Sequence, residues 1–200
     1  MKPSDIGKSY DQITDRWEAA NFDKSNGIEQ HRKAISFLDK RGNALDVGCG
    51  STGRFIDLFL GFGFVPEGID VSAKMIKLAM ERHPDLNFYQ QDICDFEMPN
   101  KYALISAWDS IWHIPLNLQT TVLTKLVSNL EKNGVLIFSF GGTDEANEHK
   151  NSAMGPELYY STLGVSGFLK LVMELGCTAR HLEFDQYPEP HAYLIVQKNL

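Results

Sequence analysis

Only three of the 200 residues are cysteines: Cys49, Cys94 and Cys177. Odd in number and widely spaced, they do not read as a disulfide framework and fit a reducing compartment better. No run of apolar residues approaches the ~20 needed to span a bilayer, and the N-terminal MKPSDIGKSYDQITDRW has no apolar signal core. A soluble, cytoplasmic protein with no membrane partner is therefore expected. Basic charge is also in short supply. Nineteen Lys and Arg against 26 Asp and Glu leave a net charge of -7 and a pI near 5.3, with no basic stripe of the kind a general nucleic-acid binder needs. No metal set is expected: Cys177 and His181 are four residues apart, with His191 across a turn, but further ligands are missing. Repeats, low-complexity tracts and a second domain are absent too. The chain reads as one domain over 1–200, and its 43% hydrophobic residues suffice for one sizeable core.

What is present alternates. Residues 9 to 22 carry Tyr10, Ile13, Trp17 and Phe22 roughly on one side of a helix, and Asn26 to Lys40 has a clearer helical spacing. Together, residues 1–40 form an expected N-terminal helical cap. NALDV then reads as a buried strand, FVPEGID as a second, LNFYQQ as a third, YALISAW as a fourth and GVLIFSF as a fifth, with helices between most of them. Both faces of most strands are apolar, which predicts an α/β doubly wound, mostly parallel, Rossmann-like sheet. After a helix over 165 to 175, CTARHLEF and AYLIVQK flank a turn-rich DQYPEPH and predict a C-terminal antiparallel hairpin. Residues 141–163 are polar and rich in Gly and Pro, and are expected to be a lid or insertion.

Gly48, Gly50 and Gly53 match G-x-G-x-x-G between a predicted strand and a predicted helix, the setting in which that spacing has meaning. Asp70 follows Gly48 by 22 residues, at the end of the second strand, where a carboxylate can accept both ribose hydroxyls of an adenosine. Asp46, just ahead of the glycines, would repel a pyrophosphate held at the helix N-terminus. A ligand with adenosine, no phosphate and a cation of its own removes that conflict, and S-adenosylmethionine has this make-up. An NAD-dependent oxidoreductase is a competing reading, opposed by Asp46 and by the lack of a second substrate domain. A non-catalytic cofactor-binding partner subunit is another.

The segments LDVGCGSTGRF, EGIDVSAKMI, YQQDICDF, LISAWDSIWHIPL and LEKNGVLIFSF carry a resemblance that covers roughly residues 35 to 198. The chain resembles the class I S-adenosylmethionine-dependent methyltransferases of small-molecule type. That resemblance implies a seven-stranded sheet and S-adenosyl-L-methionine as cofactor. It places Asp46 near the methionine end, with Gly48, Cys49 and Gly50 passing close beneath the cofactor. Asp70 would hold the ribose, Val71 and Met75 would lie against the adenine, Asp92 and Ile93 would face the adenine edge, and Trp108 would sit on the sulfonium side. The chain lacks the three-carboxylate magnesium set of catechol-type enzymes. It also lacks the Asn/Asp-Pro-Pro-Tyr/Phe sequence of many nucleic-acid and glutamine methylators, having AWDS instead.

Methyl transfer from a sulfonium is a direct displacement that needs alignment, exclusion of water and sometimes removal of a proton. AWDSIWHIPL, at the sheet's C-terminal edge, offers Asp109 and His113 as the catalytic pair and Trp112 as an acceptor contact. His149, Tyr159 and Tyr160 of the expected lid complete the substrate-binding set. The expected acceptor is a small molecule methylated on oxygen or nitrogen, with the acidic groups leaning towards an amine. The protein is expected to be a monomer or homodimer.

Overall fold

The computed structural model describes residues 1–199. Five strands, β1 (Asn43–Val47), β2 (Val65–Asp70), β3 (Asn87–Gln90), β4 (Tyr102–Ala107) and β5 (Leu130–Gly141), pair in parallel. Two more, β8 (Cys177–Glu183) and β9 (His191–Lys198), add an antiparallel hairpin to the edge at β5. The order is β3-β2-β1-β4-β5-β9-β8. Chain direction across the sheet reverses between β1 and β4, so the crevice beyond their C-terminal ends is where a ligand binds in such sheets.

Side chains alternate across the sheet as the strand period requires. Leu45, Val47, Ile105, Leu136 and Phe138 pack against α6 (Gln119–Ser128) and α7 (Gly164–Glu174). Ala44, Leu104, Val135 and Ile137 pack on the other face against α3 (Ile28–Ser36) and α4 (Arg54–Gly61). Asp46 shares that second face, and this sets its unusual surroundings. Helix α5 (Ala73–Arg82) begins at Ser72, whose side chain accepts from Met75 N at 3.1 Å, a local capping bond that fixes the turn after β2.

The N-terminal region forms two short helices, α1 (Pro3–Ile13) and α2 (Asp15–Glu18), where the sequence pattern pointed to one over 9 to 22. Helix α1 lies on the β2–α5 connection: Asp11 Oδ1 accepts from Ser72 Oγ at 2.6 Å and from Lys74 N at 3.0 Å. The expected lid is itself structured. Within it, β6 (Asn147–Asn151) and β7 (Leu158–Thr162) form a separate antiparallel pair. All of β6 is exposed, so its sequence offers no apolar alternation. β7 is buried through Leu158 and Tyr159 against Ile6 of α1.

Candidate active site

The chain leaves β1 through a loop in which Gly48, Gly50 and Gly53 have φ of 74, 59 and 69°, a region that glycine enters without steric cost. Gly48 is also needed for space, because a Cβ there would stand 2.3 Å from Cβ of Ser110. At Gly50 a Cβ would meet nothing within 4 Å, so this edge of the loop is open. Asp70, at the end of β2, ties the loop down. Its Oδ2 accepts from Gly50 N at 2.9 Å and its Oδ1 from Ser72 N at 2.8 Å. Burial moves the Asp70 carboxyl upward, opposed by these backbone donors.

A cavity of about 320 Å³ opens above the loop. Gly48, Cys49, Gly50, Asp70, Val71 and Met75 line one side of it, and Asp92, Ile93 and Trp108 continue the wall. Asp109, Trp112, His113 and Tyr160 line the other end. Three residues assigned to the site from sequence do not line it. Asp46 is 2% exposed and pairs across the strands with Ser106. His149 lies exposed on β6 and stacks on Tyr160, with ring centroids 5.2 Å apart. Tyr159 turns its hydroxyl to Leu116 N and Glu148 Oε2, at 3.0 and 2.6 Å. Its backbone carbonyl, not its ring, serves the site.

Asp46 belongs to a buried proton chain. Burial, opposed by the Ser106 hydrogen bond and by Arg54, pushes its carboxyl up to about 7. Ser106 Oγ is 2.8 Å from His31 Nε2, and His31 Nδ1 is 2.6 Å from the Gly27 carbonyl oxygen. Burial pulls His31 down to about 3, so its one N–H donates to Gly27 and Nε2 is left as an acceptor. Ser106 has a single proton, for which His31 Nε2 and the Asp46 carboxylate compete, and its bond to Asp46 favours the ionised form against the effect of burial.

His113 is neutral for a similar reason. Its Nδ1 donates to the Tyr159 carbonyl at 2.7 Å, leaving Nε2 to accept from Tyr10 Oη at 2.7 Å and from Trp112 Nε1 at 3.1 Å. Burial lowers this imidazole to about 4. Tyr10, Trp17 and Phe22 also line the cavity, with ring centroids 5.4 and 6.4 Å apart in sequence. Asp109 adopts φ 52°, rare for a residue with a Cβ. Ser139 holds it there, its Oγ accepting from Asp109 N at 2.7 Å and donating to Oδ1 at 3.1 Å.

Lining residues beyond the sequence-assigned set include Ser110, Arg54 and His191. Arg54 follows the last glycine, a position that was itself a signal. Its guanidinium stacks 4.6 Å from the Phe55 ring centroid, and its Nη1 is buried without a partner. His191, which the sequence offered with Asp185 and Glu189 for the pocket rim, reaches the cavity from β9.

A methyltransferase-domain profile matches residues 12–160. The chain belongs to the S-adenosylmethionine-dependent methyltransferases. It is similar to phosphoethanolamine N-methyltransferase of Plasmodium falciparum, 28% identical over 134 residues that make up 64% of this chain and 50% of that protein. The chain spans about half the length of the curated relatives it matches. Its fold is similar to that of 1,6-didemethyltoxoflavin-N1-methyltransferase of Burkholderia thailandensis, at TM-score 0.76 and 17% identity over 99% of this chain and 87% of that one. It is also similar to magnesium protoporphyrin IX methyltransferase of Synechocystis PCC 6803, at TM-score 0.74 and 17% identity over 100% and 98%.

The cofactor of this family is S-adenosylmethionine, and the cavity of this methyltransferase domain fits it. Arg54 Nη1, Trp108 Nε1 and Ser110 Oγ are buried polar atoms without a partner, and all three residues line the cavity. Buried donors are rarely left unpaired in proteins, so these three mark where a polar ligand completes the wall. Carboxylates at Asp70 and Asp92 suit the hydroxyls and amine of an adenosine, and the open edge of Gly50 lets a ligand approach the backbone.

Proposed function

We propose that this methyltransferase domain methylates an amine nitrogen of a small molecule. The observation that carries this reading is Asp109, a carboxylate held in a left-handed backbone at the cavity wall. The surrounding rings of Tyr10, Trp17, Phe22, Trp112 and Tyr160 suit an ammonium both by shape and by cation–π attraction. The similar P. falciparum and B. thailandensis proteins are both N-methyltransferases, which supports a nitrogen acceptor.

When bound, S-adenosylmethionine supplies an electrophilic methyl group on a sulfonium. The roles left to the chain follow from its own groups. Asp70 and Asp92 hold the adenosine, and Arg54 with Ser110 receives the carboxylate of the methionine end. Asp109 takes the acceptor as an ammonium, which has no lone pair for attack until a proton leaves. The Asp109 carboxylate that holds the ammonium accepts that proton. Tyr10 stays a phenol, because burial strongly disfavours its phenolate, and its hydroxyl donates to the neutral His113 Nε2 at the acceptor wall. The aromatic wall excludes water, and the buried site gives each charge contact more weight than it would have in solvent.

Calorimetry on the chain saturated with S-adenosylhomocysteine tests the charge preference, using 2-phenylethylammonium, 2-phenylethanol and phenylacetate as probes of one shape. The ammonium is expected to bind most tightly and the carboxylate least. Tighter binding of phenylacetate would overturn the amine reading.

A further inference from the structure

The C-terminal hairpin contributes a histidine that the proton transfer above does not use. His191 opens β9, and its side chain is 8% exposed. Its ring centroid lies 5.6 Å from those of both Trp108 and Trp112. Nε2 is 3.0 Å from Asp109 Oδ1, and Nδ1 is 2.6 Å from Asp185 Oδ1. Ionised carboxylates only accept hydrogen bonds, and a neutral imidazole has one N–H. A neutral His191 would turn a nitrogen lone pair towards one of the two acids. An imidazolium satisfies both.

Asp185 Oδ2 accepts from Gln30 Nε2 at 3.1 Å, and Asp109 Oδ1 also accepts from Ser139 Oγ at 3.1 Å. Asp109 Oδ2 has only a long contact, 3.5 Å, with Asn26 Nδ2. One oxygen of Asp109 is thus clamped by two donors, while the other is nearly free at the wall of the cavity.

We propose that His191 and Asp185 form a positioning pair for Asp109, fixing its carboxylate so that Oδ2 receives the acceptor ammonium. This rests on the amine reading and adds to it a specificity element from residues 185–191, beyond the profile match that ends at 160. The three groups sum to one negative charge, which an ammonium neutralises. An acceptor bearing phosphate or carboxylate at this end would meet uncompensated negative charge.

The same geometry accounts for the titration of His191. Burial alone lowers it, but hydrogen bonds and charge from Asp109 and Asp185 outweigh burial, and the net direction is upward. The other titratable groups that interact with this pair are Arg54, His31, His113 and Tyr10 through Asp109 and Tyr193 through Asp185.

Nitrogen-15 NMR of histidine-labelled full chain, saturated with S-adenosylhomocysteine, tests the pair directly. His191→Gln assigns the signal. Both nitrogens of His191 are expected to be protonated at neutral pH, with a midpoint above the ordinary ~6.5. Asp185→Asn is expected to lower that midpoint by about one unit or more. An ordinary midpoint unmoved by Asp185→Asn overturns the proposal. In turnover of 2-phenylethylamine, Asp185→Asn should raise KM by about tenfold, as loss of one positioning contact would. Its affinity for S-adenosylhomocysteine should not change, because Asp185 does not line the cavity. An unchanged KM also overturns the proposal. If the native chain does not methylate this probe, the failure counts against the amine reading, and the NMR result still decides the pair.

Discussion

Replacing Asp46 by Asn removes a titrating proton while keeping the shape of the side chain. Burial carries the Asp46 carboxyl from its ordinary 3.8 to about 7 in the folded chain. Its folded value is raised, so its contribution to stability is fully present below the unfolded value and is lost as pH rises through about 7. A displacement of about three pH units, at about 1.4 kcal/mol per unit, corresponds to about 4 kcal/mol. Asn is always neutral and has no such dependence. At pH about 4 the native chain and Asp46→Asn should differ little in stability. By pH about 8 the variant should be the more stable by about 4 kcal/mol. Urea unfolding of both proteins at intervals of about one pH unit reads this difference. Comparing the two curves cancels the opposite trend of His31 and His113, whose lowered values remove stability as pH falls from about 6.5 towards about 3 and about 4. Parallel stability profiles for the two proteins would refute the burial-raised titration of Asp46.

Arg54→Met should weaken S-adenosylhomocysteine by about tenfold to a hundredfold, the range for losing a charged hydrogen bond. Binding of 5′-methylthioadenosine, which lacks the carboxylate, should stay the same, and calorimetry with both ligands separates recognition from misfolding. Tyr10→Phe deprives His113 Nε2 of one of its two donors at the acceptor wall and should raise KM for the amine by about tenfold; an unchanged KM would remove Tyr10 from the acceptor site. Gly48→Ala places a methyl against Ser110 at a positive φ. Thermal unfolding should show a loss of about 2 kcal/mol or more, and an unperturbed Tm would show that the loop relaxes at no cost.

The sheet was legible because buried strands and amphipathic helices leave periodic marks in sequence, and the glycine loop because three left-handed positions demand glycine. The cavity wall from Gly48 to Trp108 follows from those two features. The acceptor end was only partly legible. Tyr10 meets His113 across 103 residues and His191 meets Asp109 across 82, distances at which no local pattern pairs residues. Tyr159 and His149 looked like ligand contacts because they are polar or aromatic in a polar segment. Strand pairing at β6–β7 instead sends one side chain outward and the other to Glu148. Asp46 was seen as a charge beside the loop, yet strand alternation turns it towards Ser106.

Methyl transfer itself tests the central claim. The full chain would be incubated with methyl-labelled S-adenosylmethionine and an equal mixture of 2-phenylethylamine and 2-phenylethanol, and the products resolved by mass spectrometry. Label on the nitrogen, and its loss in Asp109→Asn with affinity for S-adenosylhomocysteine retained, is the predicted result. Label on the hydroxyl oxygen, or undiminished nitrogen labelling in Asp109→Asn, would contradict it.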